Sequence, residues 1–275
     1  TMLAGLSSSE MTRAQYLRSL AAQQQSKAGD QWNFFQGKKL RGVVQRSTVD
    51  TITGTGEVGA FDEARLRTAL GQNAGMLDSA EGRAALDILK DSGMPHVTPG
   101  HVPPPEISAV LKAIEQAGSD EQILKLLASV DDDMLAKAIK EAREETMALD
   151  ELTTPIGRTL DAVERALGSG AAQREVKRDF SVARLAFHAR RYDAEAKLNQ
   201  RVAELYELQV RKSNLAAERH HIRSQRFFYG MLAAQMAVIV ATLAMAARKR
   251  NLLWSIAAIA GVIAVGFAIY VFLYV

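Results

Sequence analysis

The sequence predicts an all-α protein: an antiparallel coiled-coil stalk with an inserted small helical domain and a C-terminal two-helix transmembrane hairpin. Three observations predict it. The 275-residue chain has six prolines and only 6% aromatics, while helix formers such as alanine, leucine, glutamate and arginine are prominent. Phe227 to Ala247 and Leu252 to Val275 carry no charge, and each run supplies the roughly 20 apolar residues that cross a hydrocarbon core. Two further stretches repeat small and apolar side chains at spacings of three and four, the pattern of one helix laid along another.

The elements follow in order. Residues 1–6 (TMLAGL) read as the remnant of an N-terminal transmembrane helix, as the tail of a cleaved signal, or as a frayed apolar terminus. Ser7 to Ser9 with Glu10 form a serine-capped helix start, opening an ascending stalk helix over 7–46. Its seam is Leu17, Ala21, Gln24, Ala28, Gln31 and Phe35. The polar, glycine-containing stretch Thr48 to Gly59 breaks that pattern.

Residues 47–170 are expected to form the inserted tip domain of short helices. Phe61, Leu66 and Leu70 mark one face, and Leu86, Ile88 and Leu89 another. After a Pro-rich connection, Ile107, Val110, Leu111 and Ile114 mark a third. Ser119 should cap the helix bearing Ile123 and Leu127, and Asp131 to Asp133 should open one bearing Leu135 and Ile139. Thr153, Thr154 and Pro155 read as the start of a last helix with Ile156, Leu160, Val163 and Leu167.

Residues 171–226 contain neither proline nor glycine and read as one long descending stalk helix. Val182, Leu185, Ala189, Tyr192, Ala196, Asn199, Ala203, Tyr206 and Val210 form its seam. Antiparallel pairing of the two stalk helices would put Trp32 and Phe35 near Leu198, Asn199 and Val202. Residues 227–275 complete the chain as the transmembrane hairpin.

Two stretches resemble a known family. Ala21 to Gly42, with its DQWNFFQGKK segment, resembles the motif region of the bacterial domain of unknown function 4337 family. The long charged helix running into two hydrophobic segments split by RKRN is similar to that family's C-terminal half. The resemblance covers about half of the chain; Arg46 to about Phe180 is an insertion that typical members lack. It implies a membrane protein with a further transmembrane helix before the motif, and it carries no catalytic residue.

Few residues suggest chemistry, and no catalytic, cofactor-binding or metal-binding residue is expected. His220 and His221 are adjacent, so they point to different faces of a helix and cannot share one metal. They join Arg219, Arg223 and Arg226 in a basic collar suited to anionic headgroups. Arg248, Lys249 and Arg250 form a second basic cluster, and Trp254 marks the interface beside it. His96 and His101 have no neighbouring ligand in sequence, and GTGEVG (Gly54 to Gly59) lacks the lysine and spacing of a phosphate loop. Trp32 to Gln36 read as a register-setting layer, with Gln31 facing Asn199. Within the apolar runs, Gln235 and Thr242 are the notable polar side chains. Ala233, Ala237 and Ala241, like Ala260, Ala264 and Ala268, form small-residue stripes for helix packing. Arg174 to Arg226 holds thirteen basic and seven acidic residues, whereas Asp120 to Glu151 is acidic.

The expected function is that of a membrane-anchored structural or interaction protein, not an enzyme. The expected partners are the lipid bilayer and either further copies in a homo-oligomer or other membrane protein subunits, with no nucleic acid. The expected location is the bacterial cytoplasmic membrane, with the large domain outside the cytoplasm. The alternative is a transport or channel component whose hairpin lines a pathway, which the near absence of ionisable groups in the runs disfavours.

Overall fold

A computed structural model describes residues 2–56, 58–91, 93–95, 102–168, 170–246 and 250–274. Among them the chain is all-α, with no strand. The helices are α1 (Met2–Thr55), α2 (Glu63–Leu70), α3 (Ala80–Asp91), α4 (Pro105–Glu115), α5 (Asp120–Leu127), α6 (Asp132–Ala166), α7 (Ala171–Ala246) and α8 (Arg250–Tyr274), with a 3₁₀ segment at Gly71–Asp78.

Helix α1 is longer at both ends than its sequence suggests. Ser7 to Ser9 lie inside it rather than capping it, because Met2 to Leu6 already supply a helical turn. At the other end the threonines do not break the helix. The hydroxyls of Thr48, Thr51, Thr53 and Thr55 each donate to the carbonyl four residues earlier, at 2.8–2.9 Å. This back-bonding occupies the side-chain group that would otherwise compete for the backbone. Val49 and Ile52 meanwhile keep the spacing of three and four, and both are half-buried.

Helix α6 is likewise continuous where a new helix was expected. Pro155 sits in its interior, not at its first turn. The Thr153 hydroxyl donates to the Leu149 carbonyl at 2.8 Å and that of Thr154 to Asp150 Oδ1 at 3.1 Å, so the pair that resembles a cap is tied into the turn before it. The caps read at Ser119 and Asp131 are present: Ser119 accepts from the Gln122 amide and Asp131 from the Asp133 amide.

Contacts divide the chain differently from the boundaries expected at 46 and 170. One unit comprises residues 1–26 and 207–275, the other 27–206. In the second unit the core cluster of the inserted segment also takes in two side chains of α7. Leu66, Leu70, Leu77, Leu86, Ile88 and Leu89 pack with Ile156, Leu160 and Val163 of α6, and Phe180 and Phe187 of α7 complete the cluster. Phe180 and Phe187 are almost wholly buried, and burying a side chain of that size is worth about 1.5–3 kcal/mol. Glu63 accepts from Arg67 at 2.7 Å and pairs with Lys90 at 2.6 Å, linking α2 to α3 and holding its carboxyl below the usual carboxylate range.

Helices α6 and α7 run antiparallel, and the ion pairs between them fix the register. Glu145 meets Arg201 at 3.0 Å, Asp150 meets Arg191 at 3.1 Å, and Asp161 and Glu164 meet Arg184 at 2.7 Å. The excess of basic residues on α7 is thus partly matched inside the chain by acids of α6.

Candidate functional site

Three arrangements could carry a function: polar contacts of α1 with α7, a groove above a buried ion network, and the apolar helix pair.

In the first unit, α1 and α7 meet through small and polar side chains. Ser7 and Ser224 are reciprocal: the Ser7 hydroxyl donates to the Ser224 carbonyl at 3.0 Å, and the Ser224 hydroxyl donates to the Ser7 carbonyl at 2.8 Å. His220 Nδ1 lies 2.6 Å from Glu10 Oε2. The Ser213 hydroxyl donates to Gln24 Oε1 at 2.9 Å, with both side chains buried. Ala14 and Ala21 fill the positions between, and their short side chains let the backbones approach. His220 and His221 therefore have separate uses: the first holds Glu10, and the second faces Gln225 at 3.1 Å.

In the second unit, α1 crosses α7 at Gly42. A methyl placed there would lie 3.2 Å from Asp193 Oδ1 and 3.5 Å from the Ala189 carbonyl, which is close helix approach. Around this crossing Lys38 pairs with the buried Glu195, Arg46 with Asp193, and the Lys38 ammonium stands 5.6 Å from the Tyr192 ring centre. Glu195 also accepts from Arg191 at 2.6 Å, and Arg191 continues to Asp150 and to the Thr154 hydroxyl at 2.9 Å. One buried carboxylate thereby knits α1, α6 and α7. Beside it opens a groove of about 340 Å³ whose walls include Gln31, Phe34, Met147, Asn199 and Val202.

His188 is buried next to this network. Its Nε2 lies 3.4 Å from Asp161 Oδ1. Burial pushes its pKa below the ordinary histidine value, and Arg184 and Arg191 add to that effect while Asp161 opposes it. The carbons of Gly157 leave room for it: a methyl on Gly157 would lie 3.0 Å from Arg191 and 3.3 Å from the His188 ring. Neither His188 nor Glu195 stood out in the sequence. In sequence Glu195 is one of three charged residues, with Asp193 and Lys197, between the seam positions Tyr192 and Asn199.

The residues expected to pair across the seam are distributed as follows. Asn199 and Val202 are buried and Leu198 is half-buried. On α1, Gln31 and Phe34 share the groove wall with Asn199 and Val202. Trp32 and Phe35 stack edge-on at 5.4 Å within α1. The Asn199 amide donates to the Glu195 carbonyl of its own helix at 2.7 Å.

Helices α7 and α8 each contain a segment long and apolar enough to cross a membrane. Only 22% of that window on α7 and 18% on α8 is buried, so the rest of the chain leaves most of each segment uncovered. The buried positions of the two segments are Phe227, Gly230, Ala237 and Ala244 on α7, and Ala257, Ala264 and Val271 on α8; apart from Phe227 they recur at a spacing of seven. Ala241 and Ala260 are half-buried flanks. A spacing of four rotates steadily off one face, whereas seven drifts by only about 20° per step. Gln235 is exposed, and the Thr242 hydroxyl is spent on the Ile239 carbonyl at 2.7 Å. Arg219 is exposed, Arg223 and Arg226 are half-buried, and Trp254 is 50% exposed. Arg248, Lys249 and the Arg250 side chain lie outside the described residues, as do His96, His101 and the Ala268 side chain.

Among the described residues, no group of histidine and carboxylate side chains could hold a metal ion. What the arrangement offers is helix-to-helix recognition and apolar surface. Comparison of the chain with protein-family models, with curated proteins and with solved structures gave no match.

Proposed function

We propose that this chain is a membrane-anchored interaction protein, a scaffold or accessory subunit of a membrane assembly, with the apolar segments of α7 and α8 spanning a bacterial cytoplasmic membrane. The observation that carries this reading is the exposure of large apolar side chains on both segments. Met236, Val238, Leu243 and Met245 on α7, and Ile259, Val262, Ile263 and Leu273 on α8, are each 60–73% exposed. In water such a surface would aggregate; in lipid it is solvated. The likeness to the domain of unknown function 4337 family belongs to the same proposal, as does a cytoplasmic location for the loop around Arg248 to Arg250.

Gln235 supports self-association as the mode of assembly. Its amide is exposed in the middle of an apolar run and carries both donor and acceptor groups. Across a two-fold axis it can satisfy an identical amide, and such bonds between spanning helices contribute about 0.6–2 kcal/mol.

Alkaline carbonate washing of membranes from expressing cells tests the anchor. The reading expects the chain to stay in the pellet and to be released by detergent. Release by carbonate alone contradicts it. Gln235→Leu should then weaken association in detergent if self-assembly is the mode, while an unchanged mass points to a different partner subunit.

A further inference from the structure

The first unit contains an apolar cleft that its own helices leave open. Leu3 and Leu6 of α1, Ala234 and Ala237 of α7, and Ala264 and Leu273 of α8 are among its walls, and its volume is about 780 Å³. Alanines stand where leucine or phenylalanine would close the space. The volume lies within the range of sites that take a small molecule, about 300–1,000 Å³.

One end of the cleft lies level with two arginines of α7. The Ser7–Ser224 bonds fix α1 against α7 just above Leu6. Lower down, a methyl on Gly230 would lie 3.7 Å from Leu3 Cδ1 and 3.5 Å from Phe267 Cδ1. Leu6 is therefore level with the turn that carries Arg223 and Arg226. Arg223, Gly230 and Ala237 follow one another at intervals of seven, so the arginine and the cleft wall share a face of α7. Arg223 Nε is buried without a hydrogen-bond partner. Two other arginines of this unit have acidic partners: Arg18 meets Glu218, and Arg13 meets Glu10.

We infer that the cleft and the arginines above it form a site for an anionic phospholipid, with an acyl chain in the cleft and the phosphate held by Arg223 and Arg226. The inference rests on the bilayer reading proposed above. An apolar cavity of this size in lipid has nothing to fill it but acyl chain or another helix, and an empty one forfeits its dispersion contacts. From Arg226 to Ala237 the helix rises about 16 Å, close to the hydrocarbon depth of one leaflet. A guanidinium fork suits a phosphate better than it suits a zwitterionic surface, and it gives the site a preference for net negative headgroups.

The test uses the full chain reconstituted into vesicles of phosphatidylcholine with or without phosphatidylglycerol, then extracted in mild detergent and weighed by native mass spectrometry. The wild type should retain phosphatidylglycerol in preference to phosphatidylcholine. Arg223→Gln with Arg226→Gln should lower that preference about thirty-fold, roughly five-fold per arginine. Ala237→Leu with Ala264→Leu should lower retention of both lipids with unchanged helix content. Should this pair lose helix, Ala234→Leu alone serves, with the same loss expected. Equal retention of the two lipids by the wild type, or full retention by the leucine variants, overturns the inference. So does a disulfide between two copies bearing Ala237→Cys, which would put a second copy in the cleft. Failure of the chain to enter vesicles at all overturns the bilayer reading with it, whereas the other contrary results overturn this inference alone.

Discussion

Gln24 and Ser213 share a buried hydrogen bond of 2.9 Å between α1 and α7, at a position where a coiled-coil seam would ordinarily place an apolar pair. The Ser213 hydroxyl donates to the Gln24 amide oxygen, and both side chains are less than a tenth exposed. The bond fixes register more than it adds stability. Ser213→Ala leaves the amide oxygen buried without its donor and should cost about 1–3 kcal/mol. Gln24→Leu combined with Ser213→Ala should recover most of that loss. Chemical denaturation of the four-member cycle reads both effects, and strict additivity of the two single changes would refute the coupling.

His188 should make the fold sensitive to mild acid. Burial lowers its pKa in the native state, so the unfolded chain binds the proton more tightly. Stability from this group is present above the unfolded value, about 6.5, and is lost as pH falls below it. Unfolding midpoints measured from about pH 7 to about pH 5 should fall for the wild type and change less for His188→Gln. A parallel pH dependence in both proteins would exclude His188 as the cause. Glu63 acts in the same direction for a different reason: Lys90 and Arg67 favour its charged form and lower its pKa, and its contribution disappears only in more acidic solution, as pH falls below the carboxylate's ordinary 4.5.

Pro155 interrupts the hydrogen-bond ladder of a 35-residue helix. Replacing it with alanine restores the amide that can reach the Glu151 carbonyl. Pro155→Ala should therefore stabilise the second unit by about 1–3 kcal/mol, seen as a higher thermal midpoint. A lower midpoint would mean that the proline's ring packing outweighs the missing bond.

Ala117 closes α4 in the left-handed region, at φ 52°, while its amide bonds to Ile114 and that of Gly118 to Ala113 at 2.8 Å. An alanine pays about 1 kcal/mol for that conformation, which glycine adopts freely. Ala117→Gly should raise stability by about that amount, whereas Gly118→Ala should not.

Much of this fold could be read from spacing. Leu17, Ala21, Gln24 and Ala28 lie on the side of α1 that is buried or half-buried, as their intervals of three and four indicate, and the uncharged runs locate the apolar parts of α7 and α8. Local chemistry concealed the rest. Four threonines near the end of α1 look like a loop until their hydroxyls are seen bonded to their own helix. Thr153, Thr154 and Pro155 spell a helix start in a place where neighbouring helices hold the chain helical. The alanines at intervals of four, Ala233, Ala237 and Ala241 with Ala260 and Ala264, are all buried or half-buried, while the most deeply buried small residues of α7, Gly230, Ala237 and Ala244, recur at seven. His188 and Glu195 gave little signal, since their burial depends on α6 folding back along α7.

Labelling of single cysteines tests the central claim most directly, and the chain has none of its own to confuse the result. Cysteines placed at Leu243 and Val262 would probe the apolar segments, and cysteines at Tyr16 and Leu40 would probe exposed positions elsewhere. In vesicles treated with a permeant maleimide, the account predicts that Tyr16→Cys and Leu40→Cys react while Leu243→Cys and Val262→Cys stay unlabelled until detergent is added. Prompt labelling of Leu243→Cys and Val262→Cys in intact vesicles would place α7 and α8 in water and contradict it.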